Sequence, residues 1–185
     1  TGYPDQIKAM YEKIMETYGS LDILVNNAAT NPHFGEMLTA DEGIWDKTVD
    51  VNLKGPFFMI KHAVPLMKEK GAIVNVSSIN AVSPGLFQGV YSVTKAALVN
   101  MTKTLSRELA PKGIRVNALL PGLTDTKFSS AIISSDEICK FAVSQIPMAR
   151  YADPEEMAGA VLYLVSDAAS FTTGASLICD GGMLV

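Results

Sequence analysis

Apolar residues recur at helical spacing early in the chain, at Ile7, Met10, Tyr11, Ile14 and Tyr18, and Gly19 closes the run. The pattern predicts an amphipathic helix capped by Asp5. A short apolar run, Ile23-Leu24-Val25, follows and ends on Asn26-Asn27, which suits a strand buried on both faces. The same pattern returns at Ala72–Val76, Ile114–Leu119 and Ser176–Cys179, each time after a helical stretch and before polar, Gly or Pro residues. Helices are expected at roughly Asp41 to Met67, Gly89 to Pro111 and Pro154 to Val165, with a weaker one at Asp136 to Val143. Strands separated by helices of this length imply crossover connections and a parallel sheet, so the expected fold class is α/β, doubly wound and Rossmann-like. Ligands of such a sheet sit outside the carboxyl ends of its strands, which directs attention to residues 26–32, 77–85 and 120–127.

Composition narrows the function classes. A chain of 185 residues with 48% apolar and 18% charged residues, without repeats or a low-complexity linker, reads as one domain over residues 1–185. Its net charge of -4 leaves no basic surplus for phosphates, which argues against a nucleic-acid partner. Cys139 and Cys179 have neither metal-like spacing nor a disulfide framework, so no metal is expected. No apolar run spans a bilayer and no targeting signal is recognisable, so the expected location is cytoplasmic, without a membrane partner.

The sharpest chemical signal is Tyr91-Ser92-Val93-Thr94-Lys95. Four residues make about one helical turn, so the two side chains share a face. A phenol titrates near pH 10, and an ammonium within a few Å favours the phenolate, lowering that value by about one to three units. Such a pair is a usable general acid or base, although this spacing also arises often by chance on helices. Ser78 stands at the end of the strand Ile73 to Val76, where its hydroxyl can hold a substrate oxygen or merely start a turn, as its neighbour Ser77 does. Asn52 lies inside a predicted helix, where an amide is mildly unfavourable and is more often a surface or capping residue.

Together, Asn26-Asn27-Ala28-Ala29, Asn52, Ser78, Tyr91, Lys95 and Pro121-Gly122 resemble, in order and spacing, the short-chain dehydrogenase/reductase family over nearly the whole chain. The resemblance implies hydride transfer between NAD(P) and a carbonyl or secondary alcohol, with Tyr91 exchanging the proton and Ser78 polarising the oxygen. Lys95 would then lower the acidity constant of Tyr91 and bind the nicotinamide ribose, and Asn52 would hold a water in a proton relay. Asn26 and Ala28 belong to the turn under the adenosine ribose, where Ala29 replaces the family's usual glycine. Pro121, Gly122, Thr124 and Thr126 resemble the segment that contacts the carboxamide. Asn26 to Glu36 is similar to carbonyl reductases of the peroxisomal NADP-retinol dehydrogenase/reductase branch, which favours NADP over NAD, and His33 in this loop is a candidate for approaching substrate. Phe128, Ile132, Ile133 and Phe141 fall in the family's substrate lid, implying an apolar carbonyl compound, unless they form a helix hairpin on the core. Asp180-Gly181-Gly182 matches the closing segment where subunits pack, which implies a homodimer or homotetramer.

The family's opening strand and Gly-x-x-x-Gly-x-Gly turn, which grips the pyrophosphate, do not occur in this sequence, so the fold is expected to be incomplete at the N-terminus and Ile23–Val25 to lie at an open edge. Two readings follow: part of a longer enzyme, or a truncated, non-catalytic remnant acting as oligomer partner or scaffold. A serine hydrolase using Ser78 is disfavoured, because Val76-Ser77-Ser78-Ile79-Asn80 lacks the Gly-x-Ser-x-Gly elbow and no histidine follows it.

Overall fold

The computed structural model describes residues 2–185. Four parallel strands form one sheet in the order β1 (Leu21–Asn26), β2 (Met67–Val76), β3 (Arg115–Pro121) and β4 (Ser176–Cys179). Leu24 pairs with Ile73, Ile73 with Val116, and Leu119 with Leu177, so all carboxyl ends emerge on one side, as the alternation of apolar runs and helices predicts.

Helices cover both faces. On one, α1 (Pro4–Tyr18), α3 (Gly55–Ala63) and α4 (Gly89–Leu109) pack Ile7, Tyr11, Ile60, Ala63 and Leu109 against Leu24, Ile73, Ile114 and Val116. On the other, Leu164 of α7 (Pro154–Val165) meets Val74 and Leu119. Glu156 accepts from the Asp153 N–H at the start of α7, and Arg115 donates to the Leu164 and Ser166 carbonyls at its end, at 2.7 and 3.1 Å. The Arg115 bonds satisfy part-buried carbonyls at the C-terminal end of the helix.

Three expectations need correction. Tyr3, not Asp5, is the N-cap of α1; Pro4 takes the first helical position, where its missing N–H costs nothing, and Asp5 falls in the first turn. The stretch 41–67 is not one helix. It divides into α2 (Glu42–Val49), a π turn (Asp50–Lys54), α3 and a 3-10 turn (Val64–Leu66), and Met67 already pairs with β1. Pro56 is the physical reason for the first division, since it has no N–H for the Asn52 carbonyl four residues back. Finally, β1 is buried on one face only: Leu24 is covered, whereas Ile23 and Val25, on the α7 side, are 45% and 38% exposed. As expected, β1 forms an edge of the four-stranded sheet.

Between β3 and α7 lie two short helices, α5 (Ser130–Ile133) and α6 (Asp136–Ser144). No helix among the described residues is long and apolar enough to cross a membrane.

Candidate active site

Tyr91 and Lys95 occupy consecutive turns near the start of α4 and are both buried, at 6% and 2% exposure. Two reciprocal bonds hold this turn against the end of β2. The Lys95 Nζ donates to the Val76 carbonyl at 2.8 Å, and the Ser77 hydroxyl donates to the Lys95 carbonyl at 2.9 Å. Ser77, which looks unremarkable in the sequence, is thus the anchor of the helix, and Ser78 beside it is left free to face the phenol.

The structure corrects the electrostatic expectation. Burial pushes the Tyr91 phenol up to about 12, with the Ser78 hydroxyl pulling it back, and burial pulls the Lys95 ammonium down to about 8. The lysine does not bring the phenol below its ordinary value in this geometry: its Nζ faces the ring, 5.5 Å from the centroid, and donates to the Val76 carbonyl. Desolvation of both groups therefore outweighs their mutual stabilisation.

Asn52 is fully buried within the π turn, and its carboxamide clasps the backbone of Thr30 in the loop after β1. Its Oδ1 accepts the Thr30 N–H at 2.8 Å, while Nδ2 donates to the Thr30 carbonyl at 2.9 Å and to Thr94 Oγ1 at 3.2 Å. Thr94 in turn donates to the Tyr91 carbonyl at 2.7 Å. A buried amide without partners would be costly, so these bonds explain why an asparagine is held here. Neither Thr30 nor Thr94 carries a sequence signal for this role, which only the meeting of three distant segments creates.

The remaining predicted residues lie at or just after the carboxyl ends of β1 and β3, with different partners. Asn26 turns inward, donating to Asn75 Oδ1 at 2.9 Å, and Asn75 donates onward to Thr102 at 2.9 Å. Its side chain therefore ties β1 to β2 and, through Asn75, to α4. Ala28, just after β1, is exposed. Pro121 ends β3, and Gly122 donates to the Cys179 carbonyl at 2.9 Å; a Cβ on Gly122 would stand 2.8 Å from Asp180 Cα, so glycine is required for this close approach. Ser129 gathers the next turn, donating to the Thr124 carbonyl and accepting from the Thr126 N–H at 3.1 Å.

From the segment expected to form the lid, the Phe128 ring lies 5.4 Å from that of Tyr91, and Phe141 is exposed. His33 does not reach toward Tyr91; its Nε2 sits 3.1 Å from the Glu36 carbonyl and 3.2 Å from Thr39 Oγ1. His62 stacks on Tyr11. Both histidines are thus engaged elsewhere, which removes the base a hydrolase at Ser78 would need. No cluster of metal-ligating side chains occurs among the described residues.

Comparison with known proteins agrees with this geometry. A family model described as enoyl-(acyl carrier protein) reductase matches residues 2–184. The human dehydrogenase/reductase SDR family member 4 is 44% identical over 170 residues, covering 91% of this chain and 61% of the relative. The 3-oxoacyl-(acyl-carrier-protein) reductase FabG of Thermotoga maritima is 39% identical over 183 residues, covering 98% of this chain and 73% of the relative. Among solved structures, a blue fluorescent protein from a metagenomic library, in complex with NADPH, superposes with a TM-score of 0.93 at 29% identity, covering all of this chain and 73% of that one. The ligand-free aldohexose dehydrogenase of Thermoplasma acidophilum does so at 0.90 and 35% identity, covering 98% of this chain and 75% of that one. The chain thus spans about three-fifths of the human relative's length and about three-quarters of the others. With its parallel sheet, its Tyr91–Lys95 helix turn and matches of this extent, the chain belongs to the short-chain dehydrogenase/reductase family.

Proposed function

We propose that the chain carries the proton-transfer side of an NAD(P)-dependent oxidoreductase that interconverts a carbonyl compound and a secondary alcohol. The observation that carries the reading is the convergence of buried Tyr91 and Lys95 with half-buried Ser78 at the end of β2, anchored by the Val76 and Ser77 bonds. When bound, the nicotinamide would supply or accept the hydride, chemistry that no side chain here can perform.

The residues present fit such a cofactor. An ammonium has three donors, and among the described residues the Val76 carbonyl is the only protein hydrogen-bond partner of the Lys95 Nζ. The remaining N–H groups suit the paired hydroxyls of a ribose. Asn26, Ala28, Pro121, Gly122, Thr124 and Thr126 would line the rest of the cofactor crevice. NADP is favoured over NAD, in keeping with the NADPH complex of the metagenomic relative.

In the reducing direction the high pKa of Tyr91 keeps its proton on the phenol at neutral pH, ready for the oxygen as negative charge develops there. The Ser78 hydroxyl steadies that oxygen from the other side. Below about pH 8 the Lys95 ammonium stands over the ring and stabilises the phenolate left behind. Asn52 holds the β1 end against α4 and would order a water on the path to Lys95.

We read the chain as one domain, since one sheet carries all four strands. The free Cys139 and Cys179 suit a cytoplasmic protein. Exposed Leu162, Phe171 and Ile178 near β4 support a homodimer or homotetramer, and exposed Phe128 and Phe141 support an apolar carbonyl substrate, as in a carbonyl reductase.

Incubation of the intact protein with 2,3-hexanedione and NADPH carrying deuterium at both C4 positions tests the reading. Deuterium on the carbinol carbon of the product is expected, and product formed without the label contradicts hydride transfer.

A further inference from the structure

Ser78 precedes the 3-10 turn Ile79–Ala81, and its Oγ accepts the Asn80 N–H at 3.1 Å. That bond fills one lone pair and leaves the hydroxyl proton free to donate. The Asn80 carboxamide is itself fixed. Its Nδ2 donates to Gln88 Oε1 at 3.0 Å, and the backbone of Gly85 passes so close that a Cβ there would stand 2.8 Å from the same nitrogen.

Gln88 is the N-cap of α4, three residues before Tyr91. Its carbonyl accepts the Ser92 N–H at 2.9 Å and the Ser92 hydroxyl at 2.8 Å, so its backbone is locked to the first helical turn. The preceding Phe87 has φ of 61°, a left-handed conformation that an aromatic residue adopts only when its surroundings impose it. The imposing contacts are visible: the Phe87 carbonyl accepts the Gly35 N–H at 3.0 Å, and its ring meets Phe34 edge-on at 6.0 Å. A Cβ on Gly89 would stand 2.7 Å from Met37, so the loop around Phe34 and Met37 presses on this segment from both sides of Gln88.

Resting on the oxidoreductase reading above, we propose that Gln88 and Asn80 are positioning residues, a paired-amide brace that sets the Ser78 hydroxyl relative to Tyr91. The brace links the segments that carry the two groups, since Asn80 lies two residues after Ser78 and Gln88 three before Tyr91. Strain at Phe87 holds Gln88 in register. The amide pair needs only an acceptor at position 88, which makes Gln88→Glu a conservative change and Gln88→Leu a disabling one.

The test is steady-state reduction of 2,3-hexanedione by NADPH with the intact protein. Gln88→Leu is expected to cut kcat about tenfold with KM within about threefold, because the transition state and not the ground state loses its oriented donor. Gln88→Glu should retain kcat within about threefold, Asn80→Leu should match Gln88→Leu, and the double variant should be no worse than either single one. Unchanged kcat in Gln88→Leu, equal losses in Gln88→Glu and Gln88→Leu, or multiplying losses in the double variant overturn the brace. Tyr91→Phe, assayed alongside, separates the two levels: a Tyr91→Phe protein as fast as wild type, or an inert wild type, overturns the oxidoreductase reading and the brace with it. A crippled Tyr91→Phe beside an unaffected Gln88→Leu removes the brace alone.

Discussion

Lys95 presents its ammonium to the face of the Tyr91 ring, 5.5 Å from the centroid, while donating to the Val76 carbonyl at 2.8 Å. This placement keeps a charge in a site that would otherwise expel it. It also holds Lys95 at the expense of stability, as burial without a carboxylate partner requires.

That expense has a sign and a pH window. The folded pKa of Lys95 is about 8, against 10.5 for a free lysine, so between those values the unfolded chain binds a proton that the folded chain has released. Wild-type stability should therefore rise with pH across the window, and the penalty should be fully present below about 8. A shift of this size corresponds to about 3 kcal/mol, offset by about 1 kcal/mol for the Val76 carbonyl that Lys95→Met leaves unbonded. Urea unfolding at pH 7 should show Lys95→Met more stable than wild type, with the difference shrinking by pH 10. A difference independent of pH argues against a depressed lysine.

Asn52→Ala removes three bonds at once and leaves both polar groups of the Thr30 backbone without their partner. The expected loss is about 2–4 kcal/mol, read as a fall in melting temperature of roughly 5–12 °C. Melting within a degree of wild type contradicts the clasp.

Two glycines make a matched comparison. At Gly122 an added methyl meets the Asp180 backbone at 2.8 Å, and Gly122→Ala should destabilise by about 1–3 kcal/mol. At Gly159, an exposed position within α7, an added methyl meets nothing within 4 Å, and Gly159→Ala should stabilise by about 0.5–1 kcal/mol. Chemical denaturation of both variants checks the pair, and equal effects contradict the close approach at the Pro-Gly turn.

How far the sequence carries depends on the range of the interaction. The strands and their parallel order follow from local apolar runs, and the juxtaposition of Tyr91 and Lys95 follows from helical spacing. Pro56 is visible in the sequence, yet the periodicity around it is continuous enough to read 41–67 as one helix. An apolar triplet such as Ile23-Leu24-Val25 cannot reveal that one of its faces stays open, because that depends on what the sheet packs against. The direction of the Tyr91 pKa was beyond reach for a similar reason. Shared helix face is a matter of spacing, but the orientation of Lys95 Nζ is decided by the Val76 carbonyl on another element. The Asn26–Asn75–Thr102 ladder and the Asn80–Gln88 pair are likewise tertiary, joining polar residues that look unremarkable one at a time.

The central claim is that the Tyr91 hydroxyl delivers the proton. Its most direct test is the rate of NADPH-dependent ketone reduction by Tyr91→Phe, measured together with NADPH affinity. Removing one oxygen atom should slow turnover by at least about a hundredfold while NADPH affinity stays within about threefold. Turnover at the wild-type rate would contradict the account.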